Sequence, residues 1–351
     1  MLKTVEINGH PIGKGHPAYV IAEAGVNHNG SLEIALELVR KAKECGVDCV
    51  KFQTFKASQI VTATSPKANY QLKVTDASES QFEMLEKLQL ERSDYLEIIN
   101  LCKELDIQFL STPYNKEDAD FLESLGVDCY KIASGQLVEL PFLAHVARKN
   151  KPIIVSTGMA NLAEVYEGIQ AIRDAGNDQI ILLQCTTNYP SRLEDANILA
   201  MNAMQDALDV QIGYSDHVEN NFACLAAVAR GACLIEKHFT LDRNMDGPDH
   251  SSSLDSDGFK ELVDGIRNIE KALGSPVKTP TAAEVSNTQG MRRSLVLNEN
   301  QAGGTLITEA MIGFKRPATG LAPKLLEKVI GKKLSKSVPA DIPLTEDMIE
   351  W

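Results

Sequence analysis

Two histidines, His217 and His238, are the residues whose placement most clearly indicates chemistry. Each directly follows or ends a short apolar run that is typical of a buried β-strand, and one helix-like segment, 221–230, lies between the two runs. If the runs are neighbouring parallel strands, both imidazoles emerge at the same edge of one sheet. Two neutral imidazoles side by side can bind a divalent metal ion with most coordination positions still open, as a catalytic site requires.

The overall composition argues against several classes of partner. The chain has 351 residues, with a hydrophobic content of 44% and a charged content of 24%, as in an ordinary globular protein. Its formal net charge of −13 argues against a surface for nucleic acid or for an anionic membrane. We find neither a membrane-spanning apolar stretch nor a secretory signal. Seven scattered cysteines without a CxxC pair favour a reduced, cytoplasmic compartment.

Strand-like and helix-like segments alternate regularly through most of the chain. The eight predicted strands are apolar runs at 19–24, 49–55, 107–112, 129–134, 152–157, 180–186, 210–215 and 233–239. Helix-period stretches follow them, and glycines fall where helices should end, at Gly46, Gly126, Gly176 and Gly231. Eight such units predict a TIM (β/α)8 barrel. A doubly wound open sheet is the alternative, but it rarely needs eight units without an edge strand.

Two segments depart from this regular alternation. The connection 56–90 is long and polar, and in a barrel such a βα loop overlies the active-site end. After the barrel, 1–274, the stretch 275–290 is rich in Pro, Thr, Ala and Lys and is predicted to be a linker. The remaining residues, 291–351, have the texture of short strands and turns. About sixty residues are marginal for an independent core, so we expect this module to dock on the barrel or on a partner subunit.

Polar residues crowd the carboxyl ends of the predicted strands, where the active sites of parallel barrels lie. Burying so many polar groups is costly unless ligands or water satisfy them. Lysines and hydroxyls can bind a ligand that carries a phosphate and a carboxylate. Two imidazoles can bind a metal ion that polarises a carbonyl, and a nearby carboxylate can act as the acid/base. In chain order the residues are Glu23, Lys51, Gln53, Thr112, Lys131, Ser134, Ser156, Thr187, Tyr189, Ser215, His217, Lys237 and His238.

Taken one at a time, these residues also have ordinary structural explanations. A lone strand lysine such as Lys51 can point outward to a helix carboxylate, and His217 alone would be an ordinary satisfied histidine. Turn geometry explains His28 as well as function does, because it follows a strand and precedes a helix cap. We expect His145, in the middle of a helix, and the cysteines to be structural. Joint placement on one rim is what favours a functional site.

Nine motifs, in the same order along the chain, resemble those of sialic acid synthases. They are IAEAGVNHNG at 21–30, VKFQT at 50–54, LSTP at 110–113, KIASG at 131–135, STGM at 156–159, YSDH at 214–217, EKHFT at 236–240, GPDH at 247–250 and KRP at 315–317. The resemblance covers nearly the whole chain, and 291–351 is similar to the family's antifreeze-like (SAF) domain. It implies condensation of phosphoenolpyruvate with the open-chain aldehyde of an N-acylated mannosamine, which gives a nine-carbon 2-keto acid and phosphate by C–O cleavage.

The resemblance also implies roles for the candidate residues. His217 and His238 would bind Mn²⁺ or Mg²⁺, which polarises the sugar aldehyde, and Glu23 would be the acid/base near the reacting carbons. The other catalytic candidates are Lys51, Lys131 and Asp249. Lysines and hydroxyls would hold the phosphoenolpyruvate, namely Lys51, Lys131, Ser134, Ser156 and Ser215. The residues that would contact the sugar or the metal-bound water are Gln53, Asn69, Tyr189 and Asp249. Thr112 and Thr187 are the remaining substrate-binding candidates. Arg316 would reach the N-acyl group from the tail of the other subunit, which implies a domain-swapped homodimer.

Thr187 bears on the identity of the sugar. Some members of the family carry Asn two residues before the Tyr, and here that place is occupied by Thr187. A hydroxyl in place of an amide changes which sugar group is read. We prefer N-acetylneuraminate synthesis from N-acetylmannosamine, with synthesis of N,N'-diacetyllegionaminic acid from 2,4-diacetamido-2,4,6-trideoxymannose as the alternative. A non-catalytic carbohydrate-binding protein is the third hypothesis, and the complete set of candidate residues argues against it.

Overall fold

The chain folds into two compact units, Met1–Gly274 and Ser275–Trp351. The computed structural model describes residues 2–68, 71–76 and 78–351. No helix within these ranges combines the length and the apolar character that crossing a membrane requires. All seven cysteines are buried, and none is in a disulfide in the described structure.

The first unit begins with a short antiparallel hairpin and continues with eight parallel strands. The hairpin is β1 (Val5–Ile7) and β2 (His10–Ile12). The eight strands are β3 (Tyr19–Gly25), β4 (Cys49–Thr54), β5 (Gln108–Pro113), β6 (Tyr130–Ile132), β7 (Ile153–Ser156), β8 (Ile180–Cys185), β9 (Gln211–Asp216) and β10 (Leu234–His238). Each lies within a few residues of a strand that the sequence predicts.

The parallel strands form a nearly closed barrel. Their order is β5-β4-β3-β10-β9-β8-β7-β6, and every hydrogen-bonded pairing in it is parallel. The two strands at the ends of this order, β5 and β6, are consecutive in the chain. Helices cover the outside of the sheet, so the strands are buried on both faces, and all seven residues of β3 are buried. The predicted TIM-barrel fold is confirmed.

A helix follows each barrel strand. The helices are α1 (Leu32–Glu44), α2 (Ala57–Ile60), α3 (Gln71–Val74), α4 (Gln81–Glu86), α5 (Arg92–Glu104), α6 (Lys116–Ser124), α7 (Leu140–Ala147), α8 (Leu162–Asp174), α9 (Leu199–Leu208), α10 (Phe222–Ala229) and α11 (Ser256–Leu273). Side chains cap several amino ends, among them Ser31 on α1 and Asn161 on α8. The four glycines predicted to end helices all have positive φ.

The hairpin β1–β2 fills the amino-terminal end of the barrel, which the sequence did not predict. Val5, Ile7 and Ile12 pack with the apolar side chains that β3, β5 and β8 direct inward near their starts, such as Ile21, Leu110 and Ile181. This end of the barrel is therefore a packed core. Access to the interior is left to the opposite end, where the strands finish.

The second unit has a small apolar core of its own. It contains α12 (Ala282–Met291), β11 (Ser294–Leu297), β12 (Ile312–Lys315), α13 (Leu326–Val329), β13 (Lys333–Leu334) and β14 (Ile349–Glu350). The two short sheets pair β11 with β12 and β13 with β14, both antiparallel. Leu295, Val329 and Leu344 lie in the core and are fully buried. Most of α12 lies in the stretch 275–290, which the sequence predicts to be a linker.

Candidate active site

A cavity of about 420 Å³ opens at the carboxyl ends of the barrel strands. Thirteen of the fifteen residues to which the resemblance assigns a role line it, as counted over the described part of the chain: Glu23, Lys51, Gln53, Thr112, Lys131, Ser134, Ser156, Thr187, Tyr189, Ser215, His217, His238 and Asp249. Asn69 lies outside the residues that the structure describes. Arg316 belongs to the second unit, where its side chain is exposed. Most of the residues that the sequence predicts at the carboxyl ends of the strands therefore line one cavity.

Four buried charged side chains, one from each of four strands, form the floor of the cavity. Lys51 Nζ lies 2.8 Å from Glu23 Oε2 and 3.6 Å from Glu236 Oε2. Lys131 Nζ lies 3.6 Å from Glu236 Oε1, so Glu236 connects the two lysines. Each of these residues is 5% exposed or less. Lys51 points into the barrel rather than toward an outer helix, which excludes the structural explanation considered for it from sequence.

Glu236 is the main site residue that sequence reasoning missed. Side chains alternate along β10, so Glu236 and His238 face the cavity while Lys237 faces away. Lys237 is therefore not a rim residue, contrary to the sequence prediction. Its Nζ is bound outside the cavity by the Asp216 carboxylate and the carbonyls of Val218 and Asn220. The same alternation, applied to the EKH motif, would have identified Glu236.

Burial and the charged neighbours set the protonation of the floor. Burial raises the pKa of Glu23 to about 7, although Lys51 acts in the opposite direction. Burial alone would also raise the pKa of Glu236, but Lys131 and Lys51 outweigh it and hold that pKa below its ordinary value. The two carboxyl groups therefore differ near neutral pH: Glu236 is ionised, and Glu23 can take up or release a proton. Such a separation is typical of an acid/base next to a fixed charge.

Hydroxyl groups and one main-chain amide surround the lysines. Lys131 Nζ donates to Ser156 Oγ at 2.7 Å, and Lys51 Nζ donates to Thr112 Oγ1 at 3.2 Å. The Gly158 amide donates to Ser134 Oγ at 3.0 Å. A Cβ at Gly158 would lie 2.0 Å from Thr187 Oγ1, so only glycine allows the chain to approach these hydroxyls. Lysines with convergent hydroxyls can hold a phosphate and a carboxylate.

The two histidines lie side by side with lone pairs available. Their ring centroids are 5.3 Å apart. His217 Nδ1 donates to the Thr186 carbonyl at 2.7 Å, so Nε2 carries the lone pair when the ring is neutral. Burial lowers the pKa of His217, but Cys185 and the Thr186 carbonyl outweigh it and raise that pKa above its ordinary value. His238 Nδ1 is a buried nitrogen without a hydrogen-bond partner among the described residues, and Asp249 Oδ2 lies 3.7 Å from it. Burial, together with the charges of His217 and Lys51, holds the pKa of His238 well below its ordinary range.

This donor set fits a divalent metal ion held by two protein ligands. Neutral imidazole is the form that binds metal, and His238 Nδ1 has no hydrogen-bond partner in the part of the chain that the structure describes. Among the residues that the structure describes, no group of three or more His, Cys, Asp or Glu side chains is arranged to hold a metal ion. Any further ligands would therefore come from substrate or water.

Polar groups beside the histidines could orient a second substrate. The Tyr189 ring centroid lies 4.1 Å from that of His217. Tyr114 Oη donates to Gln53 Oε1 at 3.0 Å, and Gln53 Nε2 donates to Glu23 Oε1 at 3.3 Å, so Gln53 connects the rim to the floor. Burial raises the pKa of Asp249 to about 6, although His217 acts against this.

One wall of the cavity is apolar and comes largely from the long connection after β4. Val26, Phe55, Met84 and Leu88 are buried together there, and Leu85, Ile60 and Tyr114 pack against them. All seven line the cavity. The connection thus overlies the active site, as the sequence predicted. Its apolar character was not predicted, because the short helices α2 and α4 direct a few apolar side chains inward from a mostly polar segment.

Comparison with known proteins identifies the family. Residues 38–278 match the NeuB family and residues 292–350 match the SAF domain. The chain belongs to the NeuB family. The N,N'-diacetyllegionaminic acid synthase of Campylobacter jejuni is 44% identical over 92% of this chain and 97% of its own length. The enzyme of the same name from Legionella pneumophila is 42% identical over 98% of both chains.

A solved structure of another NeuB-type enzyme has the same fold. The N-acetylneuraminic acid (sialic acid) synthetase of Leptospira borgpetersenii aligns with a TM-score of 0.73 and 28% identity, over 82% of this chain and 95% of that chain. The resemblance to sialic acid synthases noted from the motifs is therefore confirmed, and so is the carboxy-terminal SAF domain. The Campylobacter and Legionella enzymes, which are more similar to this chain than the Leptospira enzyme is, are named for N,N'-diacetyllegionaminic acid synthesis, the alternative considered above.

The floor of this NeuB-family site yields a prediction for stability. Glu236→Gln removes the carboxylate between two buried lysines, so we expect the free energy of unfolding at pH 7 to fall by about 3 kcal/mol. Because the pKa of Glu236 is lowered in the folded state, its contribution is present above the ordinary glutamate pKa and is lost as the pH falls. Denaturant unfolding at pH 7 and pH 4 measures both effects.

Glu261→Gln is the matched control for this substitution, because Glu261 is exposed on the outer helix α11. We expect its effect to stay within about 0.5 kcal/mol. Equal effects of the two substitutions at pH 7 would contradict the role assigned to Glu236.

Proposed function

We propose that this NeuB-family protein condenses phosphoenolpyruvate with the open-chain aldehyde of an N-acylated amino sugar. The products are a nine-carbon 2-keto acid and phosphate. The observation that carries the proposal is a single cavity in which a buried floor of lysines and carboxylates adjoins a pair of imidazoles. The first group suits a small, multiply charged anion, and the second suits activation of a carbonyl.

The lysines and hydroxyls would hold the phosphoenolpyruvate. Lys51 and Lys131 supply two fixed charges, and Ser134, Ser156 and the Gly158 amide supply directional hydrogen bonds. Glu236 keeps the lysines in place when the cavity contains no anion, because it contacts both of them. Protonation of Glu23, whose pKa is about 7, would reduce repulsion when the anion binds.

His217 and His238 would hold Mn²⁺ or Mg²⁺. When bound, the metal supplies Lewis-acid polarisation of the sugar aldehyde without a proton transfer. Tyr189 packs against His217 and Asp249 approaches His238, so both would limit how the sugar lies against the imidazoles. Support for this assignment comes from the unpartnered His238 Nδ1 and from the tautomer of His217.

Glu23 would move protons at the reacting carbons. When C3 of phosphoenolpyruvate bonds to the aldehyde carbon, positive charge develops at C2, where water adds and phosphate then leaves by C–O cleavage. The aldehyde oxygen must gain a proton as the C–C bond forms, and the attacking water must then lose one, so a protonated Glu23 would first give up its proton and afterwards accept another. A buried carboxylate with a pKa of about 7 suits that task, and Lys51 and Gln53 fix its two oxygens.

For the sugar we propose 2,4-diacetamido-2,4,6-trideoxymannose, which gives N,N'-diacetyllegionaminic acid. The relatives at 44% and 42% identity bear that activity in their names, and they support the alternative of the sequence analysis over its preferred N-acetylneuraminate. The apolar wall supports the same choice, because the 6-methyl and second acetamido methyl groups can lie against hydrocarbon where hydroxyls would lose hydrogen bonds. N-acetylneuraminate synthesis remains the second candidate, favoured by the likeness to the Leptospira enzyme.

The metal assignment predicts loss of turnover on chelation and its return with Mn²⁺. His238→Ala should lower kcat by at least about 10³-fold while the circular dichroism spectrum stays unchanged, because the aldehyde loses its Lewis acid. Phosphate release measures turnover. His145→Ala, on α7 and outside the cavity, is the control and should retain activity. Near-normal turnover of His238→Ala would overturn the assignment.

The sugar assignment predicts a preference for the diacetamido aldose. The ratio of kcat/KM for this sugar to that for N-acetylmannosamine should exceed about 10, since each apolar group that the wall accepts gives roughly ten-fold discrimination. Leu85→Gln should lower the ratio about ten-fold without changing KM for phosphoenolpyruvate, because Leu85 is a half-buried side chain of the wall. Leu96→Gln, at an exposed position on α5, is the control. A ratio below one would support the second candidate instead.

We also propose that Arg316 completes the sugar site from a second subunit of a homodimer. Arg316→Ala should then weaken sugar use more than phosphoenolpyruvate binding. Mixed dimers of Arg316→Ala and Glu23→Ala chains should recover about a quarter to a half of normal activity, because one of the two sites regains both residues. Heterodimer formation is checked with two affinity tags. Heterodimers without activity would exclude the placement in the second subunit.

A further inference from the structure

A network of buried side chains ties the segment after β10 to the turn after β3. The two segments carry the motifs GPDH at 247–250 and NHNG at 27–30, most of whose polar residues take no part in the proposed reaction. His250 lies at the centre of the network and is fully buried. His28 serves the turn itself, since its Nδ1 accepts a hydrogen bond from the Gly30 amide at 3.0 Å.

The partners of His250 fix its tautomer. Asn29 Nδ2 donates to the Asp246 carbonyl at 2.9 Å, so Asn29 Oδ1 is the atom that faces His250 Nε2, at 3.2 Å. An amide oxygen only accepts, and therefore Nε2 carries the proton. Nδ1 is then the acceptor in this ring, and it lies 2.6 Å from the Thr240 hydroxyl, whose hydrogen is shared with the Asp242 carbonyl 3.1 Å away. Each ring nitrogen thus joins a different segment: Thr240 follows β10, and Asn29 follows β3.

The main chain around Asp249 is held as firmly as His250. Ser253 Oγ donates to the Asp249 carbonyl at 2.6 Å, and Asn27 Nδ2 donates to Ser253 Oγ at 2.9 Å. Gly247 has a φ of +151°, and a Cβ there would lie 2.7 Å from His250 Cδ2. The chain therefore passes so close to the imidazole that only glycine fits, and the ring acts as the support against which 247–250 is packed.

We propose that His250 is a positioning residue that holds the Asp249 carboxylate beside His238. Asp249 immediately precedes His250 in the chain, and its Oδ2 lies 3.7 Å from His238 Nδ1. A rotation of the main chain at His250 would therefore move the carboxylate away from the imidazole pair. The inference rests on the proposed function, because a metal held by His217 and His238 is the group that Asp249 would face. His250 itself acts only through Asp249.

Two substitutions test the network without touching the cavity. Thr240→Val removes one partner of His250 at nearly constant volume, and Asn29→Gly removes the other at a position with a φ of +51°, which glycine adopts freely. Each should weaken Mn²⁺ affinity about 10- to 100-fold and lower kcat, with KM for phosphoenolpyruvate unchanged. His250→Gln, which keeps a donor and an acceptor, should retain more affinity than His250→Leu. His145→Gln is the matched control and should change nothing.

A double-mutant cycle separates positioning from general destabilisation. In an Asp249→Ala background, Thr240→Val should cause no further loss of Mn²⁺ affinity, because the carboxylate that transmits its effect is gone. Equal losses in both backgrounds, or unchanged affinity in the single variants, would overturn the inference. Failure of the unmodified chain to bind Mn²⁺ would contradict the metal assignment instead. In that case kcat would be measured for the unmodified chain, Thr240→Val, Asp249→Ala and the double variant, with whichever aldose the unmodified chain accepts. A loss of kcat on Thr240→Val that disappears in the Asp249→Ala background would support the role of His250, and equal losses would overturn it.

Discussion

The contact on which the rest of the site depends is the buried chain of charges Glu23–Lys51–Glu236–Lys131. Placing one ion in a protein interior is very unfavourable, and it is tolerated here because each charge has an opposite neighbour within 3.6 Å. The four residues come from β3, β4, β6 and β10. Only a closed arrangement of parallel strands can bring these side chains to one level, so the barrel fold is a requirement for this charge cluster as much as a scaffold for it.

The same cluster contributes to the protonation state of His238. The lysines add to the burial that disfavours a proton on His238, and its pKa lies well below the ordinary range. A neutral imidazole is the form in which histidine binds metal, so the two lysines favour the form of His238 that the proposed metal site requires. A floor with fewer lysines would hold an anion less well and would also leave His238 open to protonation. The proposed anion site and the proposed metal site therefore share one electrostatic arrangement.

The sequence predicted the parts of this protein in which pattern and structure have a fixed relation. Apolar runs located the barrel strands, and the carboxyl ends of those runs located most of the cavity. It failed where one residue must be assigned to a face: Lys237 points outward and Glu236 inward, because neighbours on β10 alternate. It also missed the hairpin Val5–Ile7 with His10–Ile12, whose strands are too short to show a period. The apolar wall was hidden because single side chains such as Leu85 come from very short helices.

Most of the residues that the sequence predicted and most of those that it missed lie on different parts of the cavity. Glu23, Lys51, Lys131, His217 and His238 stand on or directly beside barrel strands, whose positions the whole sheet determines. The apolar wall stands largely on the connection after β4, where α2 and α4 supply Ile60, Met84 and Leu85. Exchanging wall residues changes which sugar substituents gain or lose hydrocarbon contact, and it leaves the charges of the floor unaltered. A barrel of this kind can therefore keep one condensation chemistry while its sugar changes, and strand motifs reveal the reaction sooner than they reveal the sugar.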